Sequence, residues 1–403
     1  ALILDGPVDL TRSANEFWAD AAHAFDTVLT RTLEACASDR DCVRDVAQPV
    51  RAYDRVLARF AKPQQIDYAD ADGTVRSHTA QAAGIESVVD TLLYDPSGRE
   101  LIQRAVAASA NGDDVPFGRL LDLLGSGNGP GVSSFAYHAV TCADYRVSPT
   151  SDPRDVGAVL EFARHAGISG IRTDEIFDTQ YPCLFWPYQP PTGARPAALT
   201  TTPFPVFVLA ATGDPITPVA QARAIASRLS DGYLVVTDGG PHVTFGRGEG
   251  CVDGPVVALL LENRRPVERS ISCPGHIADE YVALTADDVS GYHDALDAMI
   301  AAETELFADP EYVFWDGVSD LQVGCRAGGF FVLTSLTAGN NLRLAQCAFV
   351  SGLPLTGIGS YDFGSGDVSW TVTFPDGKLA YQASGSRRHA SGTWKGQPVD
   401  ISD

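Results

Sequence analysis

The chain has 403 residues, of which 45% are hydrophobic and 20% charged, and its formal net charge is −22. This length and composition are typical of a globular protein with two or three domains. The acidic balance argues against nucleic acid or an anionic membrane surface as a partner, because both are bound through basic patches. No apolar run approaches the ~20 residues that span a membrane, and no signal peptide is visible.

The first predicted element is a short core strand. Residues 1–10 read ALILDGPVDL, and an apolar run closed by turn residues is typical of a buried parallel strand. Ser13 and Glu16 follow at the spacing of a capping box, and apolar residues then recur at helical spacing over 17–33. Further helical patterns continue with Gly, Asn and Pro breaks and no segment of strand period. We therefore expect 11–200 to form a large helical cap.

A parallel α/β unit is predicted over 201–275. Residues 206–210 and 233–237 are apolar runs typical of buried strands, and a segment of helical spacing at 218–229 lies between them. A further helix is expected near 253–262. Strand, helix, strand and helix at this pitch indicate a parallel sheet.

The character of the sequence changes after residue 275. One helix is predicted over 286–306, followed by short β-rich runs, and Phe374 and Gly377 bracket a hairpin turn. We expect 276–403 to be a small antiparallel β domain with a helical lead-in. The predicted fold class is therefore α/β, with parallel strands and a helical cap over 1–275, followed by this β-rich domain.

The eight cysteines indicate an oxidised protein. None stands in a C-x-x-C pair and the histidines are scattered, so no metal site and no cofactor are predicted. Pairing neighbours in sequence gives Cys36–Cys42, Cys142–Cys183, Cys251–Cys273 and Cys325–Cys347. Each proposed loop is short and falls within one segment, although other connectivities are possible. We favour a secreted or cell-envelope protein over a cytosolic one with free thiols.

Two polar residues follow neighbouring predicted strands. Asp214 comes after the first of these strands and His242 after the next. Because crossover connections keep the strands parallel, both side chains are expected at the same edge of the sheet, where α/β proteins place their chemistry. An aspartate there can accept a hydrogen bond from the histidine Nδ1–H and stabilise the imidazolium. The plainer alternative is a turn aspartate and a polar residue at a strand end.

The order of these residues matches the Ser, Asp, His order of α/β-hydrolases. The matching segments are LILDGPVD, CASDRDC, HAVTCADYR, CLFWP, PVFVLAATGDPITP and DGGPH. Over 1–275 the chain resembles the C-terminal portion of tripeptidyl aminopeptidase-type serine hydrolases, which are exported α/β-hydrolases of the prolyl-aminopeptidase clan. The resemblance implies a serine peptidase that cleaves peptides from the N-terminus, with His242 as general base and Asp214 orienting it. No motif after residue 275 extends this resemblance.

The nucleophile of such a triad is not found in the sequence. A nucleophile elbow has the pattern G-x-S-x-G, and none of the 403 residues matches it. The resemblance places the elbow one helix upstream of the strand in 1–10, so we expect the serine to lie before Ala1. The partners expected are a peptide substrate and an N-terminal fragment of the same precursor. Three parallel strands alone would leave an unpaired sheet edge, which is an aggregation liability.

Several assignments stay open at this point. The scaffold is also compatible with an esterase, or with an inactive relative serving as an exported binding or surface protein. The family binds the substrate α-amine through acids of the cap, for which Glu161, Asp174 and Glu175 are candidates.

The aromatic residues Tyr181, Phe185, Trp186 and Tyr188 line either a substrate cleft or a packed cap. The β domain contains three tryptophans, Trp315, Trp370 and Trp394. They are either rings that stack on a carbohydrate or core residues. The other histidines, and Asp238 as a turn former, are expected to be structural or exposed.

Overall fold

The computed structural model describes residues 1–125, 134–144, 181–188 and 195–403. The chain divides into two compact units. The first unit comprises 1–59, 82–106 and 124–281, and the second comprises 60–81, 107–123 and 282–403. In chain order the described strands are β1 Leu2–Asp5, β2 Gln64–Ala69, β3 Val75–Ala80, β4 Val206–Ala211, β5 Gly232–Thr237, β6 Ser270–Cys273, β7 Leu321–Gly324, β8 Phe330–Leu336, β9 Gly339–Cys347, β10 Leu355–Asp362, β11 Val368–Phe374, β12 Gly377–Ser384, β13 Arg387–Trp394 and β14 Gln397–Ser402.

The described helices are mostly in the first half of the chain. They are α1 Ala14–Cys36, α2 Arg40–Asp45, α3 Pro49–Phe60, α4 Ala82–Leu92, α5 Pro96–Ala110, α6 Val115–Leu124, α7 Ser134–Asp144, α8 Tyr181–Leu184, α9 Val219–Arg228, α10 Gly250–Glu262, α11 Ala295–Phe307 and α12 Pro310–Val313. None of these helices is long and apolar enough to cross a membrane. The predicted capping box is present at the start of α1, where Ser13 and Glu16 bond reciprocally.

A four-stranded parallel sheet forms the centre of the first unit, in the order β1, β4, β5, β6. Strands β4 and β5 are buried at every residue because helices cover both faces of the sheet. On one face Val206 and Val208 pack with residues of α9, such as Ala222. On the other face Phe207 packs with residues of α10, such as Val256. The expected parallel α/β sheet is confirmed, but the described residues contribute four strands to it and not the expected three, because β6 also pairs with β5.

Strand β1 is an edge of this sheet among the described residues. It pairs with β4, from Leu2 opposite Val206 to Asp5 opposite Leu209. Its residues are only half-buried, in contrast to those of its neighbour. The backbone groups on its second side therefore have no strand partner within the part of the chain that the structure describes.

A β-hairpin interrupts the segment that was expected to be helical. Strands β2 and β3 pair antiparallel between Gln64 and Ala80. Only Ile66 and Tyr68 of β2 are buried, so the alternation is too short to stand out against the strong helical patterns on either side. The expectation of no strand within 11–200 was wrong.

An eight-stranded antiparallel sheet forms most of the second unit. Every strand from β7 to β14 pairs with its neighbour in sequence, and Phe374 opposite Gly377 closes the predicted hairpin. Helix α11 packs on one face and begins at Ala295, because the Asp294 side chain caps it by accepting hydrogen bonds from two backbone amides. The expected antiparallel β-rich domain is confirmed.

The tryptophans of this sheet are core residues. Trp370 and Trp394 are 3% and 7% exposed, and Trp315 packs against the same core while half-buried. Aromatic rings that stack on a sugar must be accessible, so Trp370 and Trp394 are not stacking rings. Their contribution is to the stability of the sheet.

All eight cysteines form disulfides. The bonds join Cys36 to Cys42, Cys142 to Cys183, Cys251 to Cys273 and Cys325 to Cys347. These are the pairs of neighbours in sequence. Disulfides are typical of proteins that fold in an oxidising compartment.

Candidate active site

The candidate site lies at the carboxyl ends of β4 and β5. The two strands run in parallel up to Ala211 opposite Thr237. The loops that follow are bonded together, because the Gly213 backbone amide donates to the Gly239 carbonyl oxygen at 2.7 Å. Asp214 is in the first loop and His242 in the second. The parallel pairing thus brings both side chains to one rim of the sheet.

Asp214 and His242 are in direct contact. The distance from His242 Nδ1 to Asp214 Oδ2 is 2.9 Å. Asp214 is buried at 3% exposure, whereas the His242 side chain is 26% exposed. An ionised carboxylate can only accept, so Nδ1 carries the proton in this pair and Nε2 is left as an acceptor. A histidine in this tautomer can take a proton from a nucleophile.

Three hydrogen bonds orient the aspartate. Its Oδ1 accepts from the backbone amides of Ile216 and Thr217 at 3.0 and 2.8 Å. The Thr217 hydroxyl donates to Oδ2 at 2.6 Å and lies 3.3 Å from His242 Nδ1. These bonds compensate the carboxylate for the loss of water in its buried position.

The turn after β1 packs directly on this pair. Gly6 has a φ of +58°, and a Cβ atom there would lie 2.9 Å from Thr217 Oγ1 and 3.2 Å from His242 Cε1. A larger residue would be strained in its backbone and would also displace the histidine ring. Gly6 is therefore needed for the geometry of the site.

Asp5 fixes the chain that follows His242. Its carboxylate accepts from the backbone amides of Thr244 and Phe245. Between them and the histidine, Val243 has a φ of +64°, which is a genuine outlier for a β-branched residue. A strained backbone conformation persists only where contacts with neighbouring residues hold it in place. Here the hydrogen bonds to Asp5 hold it.

Tyr94 supports the histidine from the other side. Its carbonyl oxygen accepts from the His242 backbone amide at 2.7 Å, and its ring meets the imidazole edge-on with centroids 5.4 Å apart. Burial raises the pKa of Tyr94, so its hydroxyl stays protonated across the physiological range. The ring thus presents an uncharged wall to the imidazole.

Sequence reasoning did not assign these supporting residues. Asp5, Gly6 and Thr217 belong to the quoted segments LDGPVD and TGDPITP, so the motifs contained the signal. Tyr94 belongs to no recognised segment. Asp238 acts as a turn former, because its carboxylate accepts from the Gly239 backbone amide at 3.0 Å.

Of the other candidates whose side chains the structure describes, none contacts this pair. Glu161, Asp174 and Glu175 lie outside the described residues, as does His165. Phe185 and Tyr188 are 63% and 77% exposed, Trp186 contacts Phe135, and nothing is described of the Tyr181 side chain. Three histidines pair with acids elsewhere, namely His78 with Asp122, His276 with Asp279 and His389 with Asp400. His23 and His293 are exposed, and His138 is half-buried.

One group of side chains has the composition of a metal site. The side-chain atoms of His138, Cys142 and Cys183 lie within 4.8 Å of one another. The two sulfur atoms are joined in a disulfide, so neither is a thiolate that could bind a metal ion.

The sequence comparisons bear on the same region. Residues 173–273 match the family Abhydrolase_4, described as TAP-like protein, and the match includes both Asp214 and His242. No curated protein matches the chain. The resemblance to the tripeptidyl aminopeptidase-type α/β-hydrolases is thereby confirmed. The family supports a hydrolase of the peptidase or esterase kind.

Proposed function

We propose that this chain supplies the base and the orienting acid of a serine hydrolase that cleaves peptides from the N-terminus. The observation that carries the proposal is the 2.9 Å contact between His242 Nδ1 and the buried Asp214 carboxylate. The proposal is supported by the family match over residues 173–273, which includes both residues, and the resemblance to tripeptidyl aminopeptidases favours a peptide substrate.

In the proposed reaction a serine hydroxyl attacks the scissile carbonyl carbon. His242 Nε2 takes the hydroxyl proton as the bond to carbon forms, and then gives it to the leaving amine as the C–N bond breaks. Asp214 holds the imidazole in the required tautomer and stabilises its positive charge. Water then repeats the two steps on the acyl-enzyme and releases the new carboxylate.

The serine is proposed to come from outside these 403 residues. The sequence contains no G-x-S-x-G segment, and among the described residues no serine hydroxyl is hydrogen-bonded to His242. Within the part of the chain that the structure describes, the second edge of β1 has no strand partner, so its backbone groups could pair with a further parallel strand. We propose that this strand and the serine belong to an N-terminal fragment of the same precursor.

Export is part of the proposal. Four disulfides, with every cysteine paired, are typical of a protein that matures in an oxidising compartment. We propose that the helical cap expected over 11–200 admits only the N-termini of peptides to the site.

A fluorophosphonate probe on the native full-length protein tests the enzyme class. We expect covalent labelling that is lost in His242→Gln and strongly reduced in Asp214→Asn. Tripeptide amides and single-residue amides, compared with simple esters, separate a peptidase from an esterase. Absence of labelling in the wild type would contradict the proposal and favour the inactive binding protein.

A further inference from the structure

Arg99 is an unusual residue in the first unit because its charged side chain is completely buried. It lies on α5 at 0% exposure. Burial lowers the pKa of its guanidinium to about 10, although the carboxylates of Asp95 and Asp214 act in the opposite direction. The group therefore remains a cation at neutral pH, at a cost that must be offset by its contacts.

The contacts of this guanidinium are with backbone oxygens. Its Nε donates to the Leu93 carbonyl oxygen at 2.8 Å. Its Nη1 donates to the carbonyl oxygens of Gly240 and Ile277 at 2.8 and 2.9 Å, and its Nη2 donates to that of Gly213. Four of the five N–H groups of the side chain are thus used. Arginine alone has the planar fork that reaches so many acceptors at once.

Two of these acceptors belong to the loops of the candidate site. Gly213 immediately precedes Asp214, and Gly240 is two residues before His242. A Cβ atom on Gly213 would come within 2.8 Å of Arg99 Nη1 and of the Gly240 carbonyl oxygen. The loop backbone therefore has no side chain at the point where the guanidinium passes between the loops.

From this geometry we infer that Arg99 is a positioning residue for the Asp214–His242 pair. It acts through the backbone, by holding the two loops at the separation that gives the contact between the side chains. The inference rests on the proposed function, since positioning affects turnover only if the pair is catalytic. A displacement of about 1 Å at a catalytic group can lower turnover roughly 10²-fold.

The experiment compares Arg99→Lys and Arg99→Met with wild type in the native full-length protein. Lysine keeps the charge but has three donors on one nitrogen atom, so it cannot reproduce the four hydrogen bonds of the planar guanidinium, and methionine removes charge and donors. We expect kcat to fall about 10²-fold in Arg99→Met and less in Arg99→Lys, with KM little changed. The low-field proton resonance of His242 Nδ1–H, identified by its loss in His242→Gln, is expected to shift in both variants.

Arg119 provides a matched control. It is 4% exposed and also donates to a backbone carbonyl oxygen, that of Gly324. Arg119→Lys and Arg119→Met therefore report the effect of losing a buried arginine that contacts neither loop. We expect kcat per folded molecule and the His242 resonance to match wild type in both.

The outcomes separate this inference from the proposed function. Unchanged kcat and an unmoved His242 resonance in folded Arg99 variants would overturn the positioning role of Arg99. An equal fall in kcat in the Arg119 variants would also overturn it. If Arg99→Met does not fold, Arg99→Lys decides by the same two measurements. If Asp214→Asn keeps full activity, the proposed function fails, whereas the resonance still shows whether Arg99 positions the pair.

Discussion

The backbone amide of Thr244 donates to both carboxylate oxygens of Asp5, with distances of 3.0 Å to Oδ1 and 2.9 Å to Oδ2. The first strand of the chain thereby fixes a loop that lies 239 residues further on. The bond also restrains Val243, whose positive φ places the chain under strain immediately after His242.

Removal of this carboxylate should let the His242 loop relax. We expect Asp5→Ala to lower kcat by about 10- to 100-fold, because Val243 can then leave its strained conformation and move the imidazole. Steady-state kinetics on the native protein provide the measurement. Asp253→Ala is the matched control, since Asp253 accepts from the amides of Gly246 and Gly248 in the same loop without touching Thr244. Equal losses in both variants would argue against a specific role for Asp5.

Gly6→Ala should damage the site through crowding. The new methyl group would lie 2.9 Å from Thr217 Oγ1 and 3.2 Å from His242 Cε1. Gly73→Ala separates crowding from backbone strain, because Gly73 has a φ of +82° and a methyl group there would meet no atom within 4 Å. Both variants should lose about 1 kcal/mol of unfolding free energy from strain, measured by urea denaturation. Only Gly6→Ala should also lose activity.

The Asp214–His242 pair should respond as one unit. Asp214→Asn is expected to lower kcat on the order of 10⁴-fold, because the amide favours the wrong imidazole tautomer. His242→Gln should lower it at least as far. The double variant should be no slower than the slower single variant, because the residues act through each other. Additive losses in single-turnover kinetics would show that the two side chains work independently.

Acid should weaken the second unit through Asp122. Burial acts to raise the pKa of Asp122, but hydrogen bonds from Tyr68, His78 and Arg76 outweigh it and leave the pKa below its ordinary value. A carboxylate with a lowered folded pKa stabilises the fold above its unfolded pKa, and this contribution is lost as the pH falls through the folded pKa. Wild type should therefore exceed Asp122→Asn in unfolding free energy at pH 7, and the difference should shrink below about pH 4.

Chemical denaturation from pH 7 to pH 3 measures this difference. Tyr68→Phe removes one of the hydrogen bonds to the Asp122 carboxylate. It should reduce the pH dependence of the unfolding free energy without abolishing it. A difference between wild type and Asp122→Asn that stays constant with pH would contradict the assignment.

Trp394→Ala should reveal a core role for this residue. The indole is 7% exposed and its ring packs against Phe374, with centroids 5.3 Å apart. Truncation of a buried tryptophan costs about 3–5 kcal/mol of unfolding free energy, which a denaturation curve detects. Binding to insoluble polysaccharide should be unaffected in molecules that remain folded. A selective loss of such binding at unchanged stability would restore the stacking hypothesis.

The sequence was informative where local pattern decides structure. The apolar runs of β4 and β5 and the residues directly after them led to Asp214 and His242, since parallel strands end at one rim. The β2–β3 hairpin was missed because few of its residues face a core. Arg99 could not be found in this way, because its acceptors Gly213 and Gly240 lie 114 and 141 residues away and no spacing rule connects them.

The second unit is assembled from stretches that leave the ribosome at very different times. Arg119 donates to the carbonyl oxygen of Gly324 and to the carboxylate of Glu311, which follow it by 205 and 192 residues. At ~5–20 residues per second, about 10–40 s of synthesis separate the arginine from the acceptor on Gly324. Neither of these partners exists until 192 residues after Arg119 have been added, when Glu311 is synthesised. These contacts of Arg119 can therefore form only after residue 324 has been synthesised, and a fragment that starts at residue 282 would leave Glu311 without its arginine.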